Sequence, residues 1–187
     1  MSGGASVAPV YPWPVNIFRH RPLALLAPAL LVAVAGCSTA DDSDTVAVPT
    51  PDARTAPLCR DLDKALPRTV DGQTRADPEP RSAYTAGWGS PAIILRCGVV
   101  RPPKMVDAKV AQGDDPNAIG GGVNGVDWLM EKQGDGTWRF TTSNRRAYVQ
   151  VTLPKKRSGA DDSAQVLTDL APAVKKAIPK GIASMRG

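Results

Sequence analysis

Few side chains in this sequence can do covalent or metal chemistry. Its 187 residues include three cysteines, Cys37, Cys59 and Cys97, and a single histidine, His20. A Ser-His-Asp triad, a Cys-His pair or a histidine-based metal site would each need that one imidazole. No Ser-x-x-Lys, Walker A, EF-hand or Asn-x-Ser/Thr spacing occurs in the chain. The chemistry left open is that of thiols and of carboxylates. On the carboxylate side, Asp127 and Glu131 fall on one face of an alternating segment. At strand rise they stand about 13–14 Å apart, wider than the ~5–10 Å of a glycosidase pair.

Cys37 has a context of its own. Arg19 and Arg21 precede an apolar run from Pro22 to Ala35, which closes on Val34-Ala35-Gly36-Cys37 and is followed by Ser38. The run would make about 21 Å of helix. That is short of the ~20 residues a membrane span requires, and it has the size of a signal-peptide hydrophobic region. The pattern resembles the bacterial lipobox. That resemblance implies a lipoprotein signal peptide over residues 1–36, cleaved just before Cys37, and a diacylglyceryl group held on the Cys37 sulfur as a thioether. Two acyl chains, at ~0.8 kcal/mol per buried methylene, anchor a protein without a spanning helix. The expected location is the extracytoplasmic face of the cell membrane. A signal peptide cleaved elsewhere, with Cys37 incidental, is the competing reading.

On this reading His20 leaves with the signal peptide, so the mature chain has no imidazole. Two thiols remain outside the reducing cytosol. Cys59 with Cys97 is then the natural disulfide; two free buried thiols are the alternative. The bridge would close a loop of about 38 residues, for which chain entropy gives about 4 kcal/mol. No cofactor signature and no metal-ligand spacing is found.

Residues 37–56 read as the lipidated cysteine and a flexible acidic tether. Four Asp and one Arg lie between Ser38 and Ala56. Residues 57–187 read as a single α+β domain. They carry 20 Lys and Arg against 14 Asp and Glu. These bases are dispersed rather than gathered in a stripe. The expected partners are therefore the membrane through the lipid anchor, and an envelope protein, glycan or lipid, with no nucleic acid.

The elements that would position any site follow from periodicity. Thr55 is placed to cap a helix, with Pro57 in its first turn and Leu58, Leu62 and Leu66 along one face beside Cys59. Pro67 ends it. Residues 68–90 are rich in Pro, Arg and Asp and read as a long loop carrying Tyr84 and Trp88. Residues 92–100 alternate as a strand with Ile93, Leu95, Cys97 and Val99 inward. Residues 113–125 read as a linker loop.

Further along, VDWLMEK and TWRFTT flank Asp135-Gly136, a hairpin signal. Trp128, Met130, Trp138 and Phe140 share its inward register. AYVQVTL forms a fourth strand, and Lys155-Lys156-Arg157 a solvated turn. Leu167, Leu170, Ala171, Val174, Ala177 and Ile178 follow helical spacing. Asp161 or Asp162 is placed to cap that helix, and Pro172 to kink or break it. The fold expected is α+β: a four-stranded antiparallel meander with an N-terminal and a C-terminal helix packed on one face.

Four stretches carry a family resemblance: CRDLDKALPRTVDG at 59–72, TAGWGSPAIILRCGV at 85–99, GVDWLMEK at 125–132 and FTTSNRRAYVQVTLP at 140–154. They resemble the actinobacterial lipoprotein family known as domain of unknown function 3515. The resemblance implies an exported lipoprotein. It implies no catalytic residue, because the family has no assigned activity.

The sheet face opposite the helices is the candidate surface. Alternation assigns it Ile94, Arg96, Asp127, Leu129, Glu131, Arg139, Tyr148 and Gln150. Mixed arginine, tyrosine and aliphatic side chains are the composition of a binding surface. Trp88, Arg96, Arg139 and Tyr148 are its candidate binding residues. In the alternative arrangement the 68–90 loop covers this face and Arg96 pairs with Glu131 or Asp127. The expected function is a binding or scaffolding lipoprotein of the cell envelope, without enzymatic activity. The alternative is an envelope hydrolase that works by carboxylates alone.

Overall fold

The four-residue recurrence of Leu58, Leu62 and Leu66 produces helix α1, Thr55–Ala65, in a computed structural model that describes residues 45–157 and 159–183. The proposed signal peptide, Cys37 and residues 38–44 lie outside the described residues. Helix α1 buries Cys59 and Leu62 completely. Its cap differs from expectation. The Asp52 Oδ1 accepts the backbone N–H groups of Arg54 at 2.9 Å and Thr55 at 2.8 Å, and Thr55 itself is buried. A carboxylate near a helix start satisfies free N–H groups and complements the dipole better than a hydroxyl does. The helix ends where Leu66 turns extended before Pro67, as a residue preceding proline is driven to do.

The expected four-stranded meander is corrected to six antiparallel strands plus a separate two-stranded ribbon. The ribbon is β1, Thr69–Val70, with β2, Gln73–Thr74. The sheet contains β3, Thr85–Trp88; β4, Ile93–Cys97; β5, Ala118–Val123; β6, Val126–Lys132; β7, Trp138–Thr142; and β8, Val149–Leu153. Its order is β3-β4-β8-β7-β6-β5. The strand at 93–97 therefore lies beside the last strand rather than beside β6.

Both additional strands sit at sheet edges and have weak local signals. Strand β3 is four residues long and buried throughout, so no alternation marks it. Strand β5, AIGGGV, contains three glycines that have no side chain with which to alternate. Its pairing with β6 is closed by Asn124-Gly125, both at positive φ, with Val123 opposite Val126. That is the two-residue hairpin geometry that Asn-Gly favours.

Helices α1 and α3, Ala160–Ala177, supply one apolar core together with one face of the sheet. In this core Leu95, Val151 and Phe140 are cross-strand neighbours, and Trp128 is 1% exposed. The disulfide Cys59–Cys97 joins α1 to β4 with an S–S distance of 2.02 Å. Leu167, Leu170, Ala171, Val174, Ala177 and Ile178 are all buried.

Proline 172 lies inside α3 without ending it. It has no N–H to give the Thr168 carbonyl four residues earlier. That carbonyl accepts instead from the Asn124 Nδ2 at 3.3 Å. The C-terminal end of α3 is served similarly: buried Arg145 donates to the Ile178 carbonyl at 2.9 Å and to the Gly125 carbonyl at 3.2 Å. Lys155-Lys156-Arg157 forms a short 3-10 turn in which Arg157 faces Asp71 at 3.5 Å.

The opposite sheet face has a different cover. A 3-10 turn, Pro103–Val106, leads into the short helix α2, Ala108–Gln112. Met105 and Val110 pack there on Ala118 and Leu129 in a second, smaller apolar cluster. Residues 45–54, read from sequence as tether, belong to the same compact unit as the sheet. Val46 donates to the Glu79 carbonyl at 3.0 Å.

Candidate functional site

Where the segment 47–52 crosses the end of β4 and the start of β8, a cleft of about 430 Å³ remains. Its walls come from three stretches: the strap at 47–52, residues 98–101 after β4, and Ala147-Tyr148 before β8. Arg96, Thr55 and Ala183 complete the lining. A volume of this size holds a small ligand.

Gly98 sets the depth of the cleft. Its φ is +82°, and a Cβ built there would fall 2.6 Å from the Pro51 Cβ. Only glycine allows the strap so close. The Gly98 N–H donates to the Tyr148 carbonyl at 2.9 Å, which ties the two far walls together.

Arg96, Arg101 and Tyr148 are among the polar residues that line this space. Arg96 stands opposite Gln150 in the β4–β8 register, and its Nη2 donates to the Gln150 Oε1. Gln150 in turn donates to the Thr141 Oγ1 at 3.4 Å. No carboxylate lies within ion-pair reach of Arg96 among the described residues. Burial, and then the like charge of Arg139, hold the Arg96 guanidinium below its ordinary pKa. Desolvation penalises a cation that lacks a counter-ion. Tyr148 is 7% exposed. The carboxylate in the lining, Asp52, is already engaged by the first N–H groups of α1.

Arg139 shares the face but not the cleft. It sits opposite Glu131 in register, yet no ion pair closes between them. The Arg139 Nε and the Glu131 Oε2 are buried without a hydrogen-bond partner. The pairing of Arg96 with Glu131 or Asp127, weighed from sequence, is not seen.

Trp88, the fourth candidate binding residue, is corrected. It pairs with Ile93, which puts its ring on the helix-covered face, fully buried, with Nε1 donating to the Pro67 carbonyl at 3.1 Å. The glycines on either side of it serve close packing: a Cβ at Gly87 would fall 2.5 Å from the Ala76 carbonyl oxygen. Tyr84 is half-buried, and its hydroxyl accepts from Arg60 at 3.4 Å. The 68–90 segment thus flanks the helix side. The strap and residues 99–113 overlie the other.

The remaining carboxylates are structural in their contacts. Asp127 accepts from the Asn144 Nδ2 at 3.2 Å, and neither it nor Glu131 lines the cleft. Asp115 pairs with Lys104 at 2.9 Å and accepts the Asn117 N–H at 2.8 Å, which holds its carboxyl below the usual range, with the Lys104 contact contributing most. Among the described residues, no three His, Cys, Asp or Glu are grouped to hold a metal ion, and no helix is long and apolar enough to cross a membrane.

Sequence reasoning did not identify the strap, Gly98 or Arg101 as parts of a site. One signal was available: Pro49 and Pro51 stiffen the supposed tether, and Asp52 three residues before Thr55 marks a helix entry.

A family model described as "Protein of unknown function (DUF3515)" matches residues 21–183. No curated protein and no solved structure matches the chain.

Proposed function

This chain belongs to the DUF3515 family, whose description names no activity, and within that family we propose that it is an exported, lipid-anchored binding module of the cell envelope. Cys37 carries the lipid, the domain works at the extracytoplasmic face of the membrane, and the cleft at Arg96 and Tyr148 receives the ligand or partner.

The observation that carries this reading is the partition of the three thiols. Cys59 and Cys97 pair with each other, a bond that persists in an oxidising compartment. Cys37 is the thiol left over, and it is the one that follows two arginines, an apolar run and Ala35-Gly36. The cleft supports a binding role rather than a catalytic one, because its carboxylate, Asp52, caps a helix.

The test is Cys37→Ser in the native host. Wild type should partition with membranes and have the mass of a diacylated chain starting at Cys37. The variant should leave the membrane fraction or accumulate as uncleaved precursor. Identical processing and an unmodified sulfur in the wild type would refute anchoring. In-cell crosslinking of wild type against Arg96→Gln then reads the binding role, which fails if both forms recover the same set of neighbours.

A further inference from the structure

The docking of residues 46–51 on the domain shortens the tether. Nineteen residues, 38–56, were open to act as a free linker. With Val46 bonded to Glu79 and Pro51 seated on Gly98, the segment from Thr45 to Asp52 is docked on the domain. Eight residue steps then separate it from Cys37, at most about 29 Å even fully extended. If the proposed function holds, the cleft is confined near the bilayer surface, and its own strap is the chain that leads to the anchor.

The lining of the cleft states what it would take from that surface. Pro49, Pro51, Val99 and Ala147 give an apolar wall. Beside it stand the Arg96 guanidinium, whose side-chain partner is the neutral Gln150 amide, and the phenol of Tyr148, 7% exposed. Arg139, on the same face, adds a second positive charge near enough to act on Arg96. An isolated buried cation is costly until an anion meets it. A guanidinium and a hydroxyl both donate to phosphate or carboxylate oxygens in short, charge-assisted bonds.

We propose that this cleft binds an anionic amphiphile drawn from the membrane surface, its phosphate or carboxylate head on Arg96 and Tyr148 and its apolar body against Pro49, Pro51 and Val99. The proposal rests on the anchored-binding reading above and adds the ligand's chemical class and its source.

The experiment is calorimetric titration of the full chain, held in a neutral detergent, with butyl phosphate, inorganic phosphate and 1-butanol. Butyl phosphate should saturate and bind at least about tenfold more tightly than inorganic phosphate, because its short chain reaches the apolar wall. Arg96→Gln should weaken it about tenfold or more, and Tyr148→Phe severalfold. Lys109→Gln, exposed on α2, should leave it unchanged. Vesicles containing phosphatidylglycerol should compete for the site, and phosphatidylcholine vesicles should not.

Equal binding of 1-butanol, or undiminished binding by both Arg96→Gln and Tyr148→Phe, would overturn the anionic head. Competition by inorganic phosphate as strong as that by phosphatidylglycerol vesicles would overturn the membrane source. Should Arg96→Gln lose the native circular dichroism, Tyr148→Phe, which removes one oxygen atom, decides alone. Absence of butyl phosphate binding in a chain whose Cys37→Ser form has left the membrane would remove the ligand class and leave the anchored reading standing.

Discussion

The two faces of the six-stranded sheet solve different problems with the same strands. The helix side is apolar and continuous. Leu95, Val151 and Phe140 run across it under α1 and α3, and a disulfide fixes the helix that enters first. The other side has the polar row Arg96, Gln150 and Thr141, roofed by short irregular pieces: the 45–54 strap, a 3-10 turn and a five-residue helix. A face covered by long helices gains stability with every buried methylene. A face covered by short segments leaves gaps where polar groups can meet something from outside. One alternating sequence supplies both, because successive residues point to opposite sides.

The contrast can be broken by mutation, beginning with the helix side. Trp88→Ala removes a fully buried indole whose Nε1 is bonded to the Pro67 carbonyl. It should cost about 3–5 kcal/mol in urea unfolding; a loss below about 1 kcal/mol would place Trp88 outside the core. Removing the disulfide by Cys59→Ala with Cys97→Ala releases a 38-residue constraint. Chain entropy predicts a loss of about 4 kcal/mol before native-state effects, read as the shift in midpoint against the oxidised wild type.

Effects on the other face should be smaller for the fold and larger for the site. Gly98→Ala forces a left-handed residue and pushes a methyl group at Pro51. About 1–2 kcal/mol is expected, concentrated as faster hydrogen exchange at 46–52 with the β6–β7 hairpin unchanged. Uniform loosening of both regions would mean that the two faces are not separable. Arg96→Gln sharpens the comparison most, with the least effect on the fold. Burial and Arg139 already disfavour the charged form, so a neutral side chain at 96 should change stability by less than about 1 kcal/mol while weakening anion binding.

The same contrast explains what could be read from the sequence. The helix side was legible because long periodic segments mark it: Leu167 to Ile178 for α3, the Asp135-Gly136 hairpin, and the inward register of 93–97. Cys59 and Cys97 were legible by elimination once Cys37 was set apart. The cleft was half legible. Alternation put Arg96 and Tyr148 on the correct face, because side-chain direction is a local property. It could not show that residues 47–52 fold back over them, because the seat of Pro51 on Gly98 is a non-local contact that spans about a quarter of the chain. Trp88 was misplaced for a related reason. Its flanking glycines look alike whether they loosen a loop or admit a neighbouring backbone, and only the pairing with Ile93 distinguishes the two. Strand β5 was hidden by Gly120, Gly121 and Gly122, although Asn124-Gly125 marked its turn.

Helix α3 has a break in its own ladder at Pro172, and the tip of the β5–β6 hairpin fills it. Asn124 serves the carbonyl orphaned by the proline, and Arg145 bridges the tip to the end of the helix. Neither piece is complete alone, so a peptide of residues 160–177 should fray at its middle in water. Within the intact protein the hairpin tip and the C-terminal helix should open as one cooperative foldon, with amide protection in the two rising and falling together although some fifty residues of chain lie between them.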